Sequence, residues 1–135
     1  MKEADIKKAV KYWRATAGHD YETMLALFQA KRYSDSLFYG HIVLEKILKA
    51  RVVGKTKKET PKIHDLVRLK ELAEVELTEE QVDLLNKVND FNIRSRYPEY
   101  KLNFYKLCTR KYTESHFEKI KKLYKKLCQK ITPKK

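Results

Sequence analysis

From Lys2 to Gln29 the apolar residues Ile6, Val10, Trp13, Ala17, Tyr21, Met24 and Phe28 recur every three or four positions. At 3.6 residues per turn this spacing lays them along one side of a single helix about 40 Å long. A chain that begins with such a rod has to cover the apolar stripe with other elements. The next segment supplies a cover. After the short turn Lys31-Arg32-Tyr33, Ser34 reads as an N-cap, and Leu37, Phe38, His41, Leu44, Ile47, Leu48 and Val52 continue the helical period. A connection this short predicts an antiparallel helical hairpin. Gly54 is expected to end the second helix, and GKTKKETPK forms a basic loop.

Three further segments follow the same period. His64 to Glu74 predicts a short third helix with Leu66, Leu69 and Leu72 inward. Thr78-Glu79-Glu80-Gln81 is a capping box that opens a fourth helix carrying Val82, Leu85, Val88 and Phe91. Arg96 to Tyr112 is interrupted by Pro98, with room for a helical turn or two between Leu102 and Cys108. Thr113 is then expected to cap a last helix with Phe117, Ile120, Leu123, Tyr124, Leu127 and Ile131 inward. Nothing alternates with period two, and three glycines and three prolines are too few for a turn-rich sheet. The expected fold is all-α, a five-helix up-and-down antiparallel bundle forming one domain over residues 1–135. A chain of that size buries about two-thirds of its unfolded surface without a staple.

Cys108 and Cys128 have no metal-ligand spacing and read as reduced thiols, and no two of the four histidines are placed to share a zinc ion on one helical face. No metal or cofactor is expected. No apolar run approaches the roughly 20 residues of a membrane span, and the N-terminus carries acidic residues where a signal peptide is apolar. The reading is a cytoplasmic protein without a membrane partner.

The formal net charge is +13, and it is unevenly spread. Residues 1–100 hold 19 Lys+Arg against 16 Asp+Glu, whereas residues 101–135 hold 12 against 2. Lys119, Lys122, Lys125, Lys126 and Lys130 fall on the outer face of the last helix. Such a face gains free energy by releasing counterions from a polyanion, and is a candidate nucleic-acid surface. The alternative is a lysine-rich face that is only solvated.

The segment FNIRSRYPEYK, residues 91–101, concentrates the chemistry of phosphate and base recognition. Pro98 disfavours helix at Tyr97, so Arg94 and Arg96 flank a helix end. Planar guanidinium groups there can grip phosphate bidentately or stack on bases, with Tyr97 and Tyr100 nearby. The competing reading is that both arginines complement the helix dipole. Glu45 and Lys49 are either an i, i+4 ion pair on the second helix or part of a site facing Arg94 and Arg96. His41 reads as a hydrogen-bonded structural imidazole, His64 as ordering the start of the third helix, His19 as a surface residue, and His116 as first-turn in the last helix.

Four landmarks in order carry a resemblance: the Ala15–Asp20 segment of the first helix, HIVLEKILKA in the second, His64-Asp65-Leu66 after the loop, and finally SRYPEY. Together they resemble the HEPN domain family over nearly the whole chain. The resemblance implies a five-helix bundle that often dimerises and binds nucleotide or RNA, or pairs with a minimal nucleotidyltransferase in toxin-antitoxin systems. A homodimer is therefore expected, with the aromatic run Tyr97 to Tyr105 as its anchor. Many members are metal-independent ribonucleases whose signature is an Arg followed, after four to six residues, by a His. Counting on from Arg94 or Arg96 meets no histidine, while Arg14/His19 and Arg110/His116 satisfy the spacing away from the motif's place. Three readings follow: a nucleotide- or RNA-binding protein without the standard ribonuclease site, a ribonuclease toxin with a rearranged site, and a noncatalytic docking partner of a nucleotidyltransferase.

Overall fold

A computed structural model describes residues 1–129. Six helices and no strand are present among them: α1 Glu3–Gln29, α2 Tyr33–Thr56, α3 Leu66–Leu72, α4 Glu79–Arg96, α5 Pro98–Leu107 and α6 Arg110–Gln129. The all-α expectation holds, and the count of five is corrected to six. The extra helix is α5. Pro98 breaks α4 as expected, leaving Tyr97 extended (φ −92°, ψ 130°), but it then occupies the first turn of a new helix. Proline suits that position, because the first-turn N–H has no intrahelical partner and φ is already preset.

The four long helices alternate in direction. Along α1 and α2, Ser36 Oγ donates to Met24 C=O (3.1 Å), Lys46 Nζ to Asp20 Oδ2 (2.6 Å), and Lys49 Nζ sits 5.2 Å from the Trp13 ring centroid. As one sequence number rises the other falls, so the pair is antiparallel. Tyr21 stacks on Tyr124 (4.5 Å) and Phe28 on Phe117 (4.3 Å), which sets α6 antiparallel to α1. Gln81 with Lys126 and Phe91 with His116 do the same for α4 and α6.

Helix α2 is the axis of the bundle, packed by α1, α3, α4, α5 and α6. Leu37, Leu44, Ile47, Leu48 and Val52 lie in the core as the period required, and Val43, Ala50 and Val53 are buried as well. Gly40 leaves room for a side chain of α6. A Cβ there would stand 2.8 Å from Ile120 Cδ1 on α6. Phe104, the buried residue of α5, packs on Phe91 of α4 (5.6 Å between centroids) and pins the short helix to the bundle.

Several boundaries differ from the sequence reading. Ser34 is not the cap of α2, whose N-cap is Arg32 with no side-chain bond. Gly54 does not end that helix, which continues to Thr56 and stops at Lys57 in the left-handed conformation (φ 60°). Helix α3 starts at Leu66 rather than His64, because the Asp65 carboxylate accepts from Val67 N–H (3.0 Å) and caps it. Thr113 is buried inside α6, and Thr109 Oγ1 instead accepts from Tyr112 N–H (3.2 Å) at that helix's start. The capping box of Thr78 and Gln81 is present as read. Lys130 and Ile131 lie outside the described residues.

Candidate functional site

Two groups of functional side chains sit on opposite sides of α4. Residues two apart on a helix diverge by about 200°, so Arg94 and Arg96 do not act side by side. Arg94 lies on the face that also presents Glu80, Asp83, Lys87 and Asp90, a stripe spaced by three and four residues. Its Nε donates to Asp90 Oδ2 (2.9 Å), and Asp90, Ile93, Arg94 and Tyr100 enclose a hollow of about 230 Å³. Further down the same face a groove of about 560 Å³ runs between α4 and α6. It is lined by Lys87, Lys119, Lys122 and His116, together with Glu80 and Asp83. Groove and hollow thus follow one side of α4, over about 20 Å from Glu80 to Arg94.

Tyr97 and Tyr100 are both about half exposed, as are Ile93 and Tyr105. The Arg96 guanidinium lies 5.5 Å from the Tyr97 ring centroid, an exposed cation–π pair at the α4–α5 corner. Lys119, Lys122 and Lys125 are exposed. Lys126 is engaged, donating to Gln81 Oε1 (3.2 Å) beside the capping box of α4. Lys119 and Lys122 therefore border the groove rather than standing clear of the bundle, and Lys126 serves the fold.

Glu45 and Lys49 are not turned toward Arg94. They join a polar network between α2, α4 and the loop that precedes α3. Lys49 Nζ donates to Glu45 Oε2 (2.8 Å), and His64 Nδ1 meets both carboxylate oxygens at 3.0–3.1 Å. His41, 1% exposed, donates from Nε2 to the His64 carbonyl (2.9 Å), so its Nδ1 is free to accept from Asn92 Nδ2 (2.8 Å). Asn89 bridges the Asp65 carboxylate and the Leu66 N–H at 3.0 and 3.1 Å. Burial holds the His41 pKa below the ordinary histidine value, with nearby Glu45 pulling the other way. His41 is thus a buried imidazole hydrogen-bonded at both ring nitrogens, as the sequence suggested a hydrogen-bonded one. Arg96 continues the Asn89, Asn92 stripe one turn on, fully on the solvent side.

The sequence reading passed over Asn89 and Asn92. Their signal was available: amides three apart on one face of α4, facing the His41, Glu45, Lys49 series spaced by four on α2. The Arg–His pairs with ribonuclease-like spacing form no joint site. Arg14 and His19 diverge by about 140° around α1, and Arg110 and His116 by about 120° around α6. His19 bonds its neighbour Asp20 (3.2 Å), and His116 Nδ1 donates to Tyr112 C=O (3.0 Å). Burial pushes the Cys108 thiol up to about 12, leaving it inert at neutral pH. Among the described residues no His, Cys, Asp or Glu group could hold a metal ion, and no helix is long and apolar enough to cross a membrane.

The family model of the HEPN domain matches residues 10–131. No curated protein and no solved structure matches the chain. A match over that span takes in all of α2 to α6 and most of α1, so the chain belongs to the HEPN family, whose domains bind nucleotide or RNA and are often ribonucleases.

Proposed function

We propose that this HEPN protein binds single-stranded RNA or a nucleotide along the outer face of α4 and lacks the standard ribonuclease site of its family. The observation that carries this reading is the shared face. Lysines of the α4–α6 groove lead along α4 to Arg94 and Tyr100, and the exposed Arg96–Tyr97 pair stands where α4 turns into α5, on the other side of α4 from Arg94. Cations spaced along a groove track a backbone, and exposed aromatic rings at its end stack bases, which is how single strands are held without a base-edge code. The carboxylates Glu80, Asp83 and Asp90 moderate the groove's charge, with Asp90 already paired to Arg94. They disfavour indiscriminate polyanion binding. A thermal-shift screen against nucleotides and short RNAs tests the reading, since a ligand of the native state raises the melting temperature by mass action. An upward shift with RNA is expected, and no shift at millimolar nucleotide or micromolar RNA overturns it.

The homodimer and the nucleotidyltransferase partner remain proposals of the same kind. The exposed residues Ile93, Tyr97, Tyr100, Leu102, Tyr105 and Leu107 give either partner an apolar and aromatic surface. Because that surface includes Tyr97 and Tyr100, protein docking and RNA binding at the corner compete, and a competition titration separates them.

A further inference from the structure

The buried imidazole of His41 touches three elements at once, and one of its partners holds an unused acceptor. Nε2 donates to the His64 carbonyl in the loop, Nδ1 accepts from the Asn92 amide on α4, and the ring itself belongs to α2. Asn92 Oδ1 is buried with no hydrogen-bond partner. Leaving a buried amide oxygen unpaired is costly, and it is the atom that a doubly protonated ring would need. We propose that His41 and Asn92 form a proton-driven latch, in which protonation of Nδ1 turns the Asn92 amide over and so alters the last turn of α4. This rests on the binding role proposed above, because Arg96 lies one turn beyond Asn92 on the same face.

The step balances simply. A proton from solvent takes the Nδ1 lone pair, so Nδ1–H and the amide N–H oppose each other as two donors. Rotation of the amide by half a turn brings Oδ1 to accept from Nδ1–H, while Nε2–H keeps its bond to His64. The groups that act on the ring are Glu45 from α2, His64 from the loop and Asn89 from α4. Glu45 Oε1 stands 3.7 Å from Nδ1 and balances the new charge, and its Lys49 and His64 bonds hold it in place. The imidazole–amide bond becomes charge-assisted, which offsets part of the cost of charging the buried ring.

The test is an NMR titration of the full chain between pH 8 and 5, following the His41 ring nitrogens and the Asn92 side-chain amide. The same samples report the affinity for a ten-nucleotide single-stranded RNA. The expected result is an Nε2–H tautomer at high pH, Asn92 amide signals that move with the His41 midpoint, and an RNA affinity that changes there on the order of fivefold, a usual size for coupled sites. In Asn92→Asp a carboxylate accepts from Nδ1–H at all these pH values, so the affinity step disappears. Asn92 signals that stay still while His41 titrates, or an Nδ1–H tautomer at high pH, overturn the latch. Moving Asn92 signals with a flat RNA affinity overturn its coupling to the site. Should Asn92→Asp fail to fold, the wild-type titration decides alone. Absence of RNA binding at every pH counts against the proposed function, and the amide signals still decide the latch.

Discussion

Among the described residues, three non-glycine residues adopt positive φ: Lys31 at 65°, Lys57 at 60° and Glu74 at 54°. A side chain in that region costs about 1–2 kcal/mol, and glycine returns part of the gain by loosening the unfolded chain. Lys57→Gly at the end of α2 is therefore expected to stabilise the protein by about 0.5–1 kcal/mol in urea unfolding. Two titratable residues, buried His41 and half-buried Asp20, make a second expectation. The His41 pKa is depressed below the ordinary histidine value of 6.5, chiefly by burial, so between the two values the unfolded chain holds a proton that the native ring refuses. Its stabilising contribution is complete above pH 6.5 and is lost as pH falls through the native value. Burial acts to raise the Asp20 pKa, but the Lys46 and His19 hydrogen bonds prevail and hold it below 3.8, so its contribution is present above that pH and is lost only below it. Denaturant titrations should thus show stability falling as pH drops below 6.5, with a slope no steeper than about 1.4 kcal/mol per pH unit for one proton. His41→Gln removes that slope while leaving the Asp20 loss at lower pH.

At the scale of elements, α5 depends on one buried side chain. Phe104→Ala deletes its anchor against Phe91, and a cost of about 3–5 kcal/mol is expected. Amides of residues 99–107 should then exchange with solvent faster than those of α1 or α2, and equal protection would show that α5 is held by something else. This helix was also where the sequence was least legible. The apolar period of α1, α2, α4 and α6 is long enough to read directly, and Ala17, Met24, Leu85, Val88, Ile120 and Leu127 are buried as the period required. In α5, Leu102 is 70% exposed and Tyr100 and Tyr105 are nearly half exposed, so its apolar residues do not mark a buried face. Capping was legible at Thr78 and Gln81, where both halves of the box stand in the sequence, and was missed where backbone alone closes the helix, as at Arg32 and Lys57, and at Asp65 and Thr109, whose side chains bond first-turn N–H groups. The polar network was half legible: Glu45, Lys49 and His41 follow a four-residue spacing, but their partners on α4 and in the loop are distant in sequence.

For the whole molecule the question is whether its uneven charge serves binding. Lys119, Lys122 and Lys125 can be reversed to Glu together without touching the Gln81 bond of Lys126. That variant is expected to fold as wild type and bind single-stranded RNA far more weakly, with a shallower dependence on salt, since each phosphate contact contributes about 0.7 to the log–log slope. Charge alone would produce the same loss for any polyanion, so the corner residues discriminate better. The most direct measurement is fluorescence anisotropy of a short single-stranded RNA with wild type, Arg96→Lys and Tyr97→Ala/Tyr100→Ala, each checked for an unchanged melting temperature. Stacking contributes about 1–3 kcal/mol per base, so the double tyrosine variant is expected to lose at least about fivefold in affinity. Arg96→Lys keeps the charge and loses the planar fork, and a smaller but clear loss is expected. If both variants bind RNA as tightly as wild type while folding normally, RNA is not held at the α4–α5 corner.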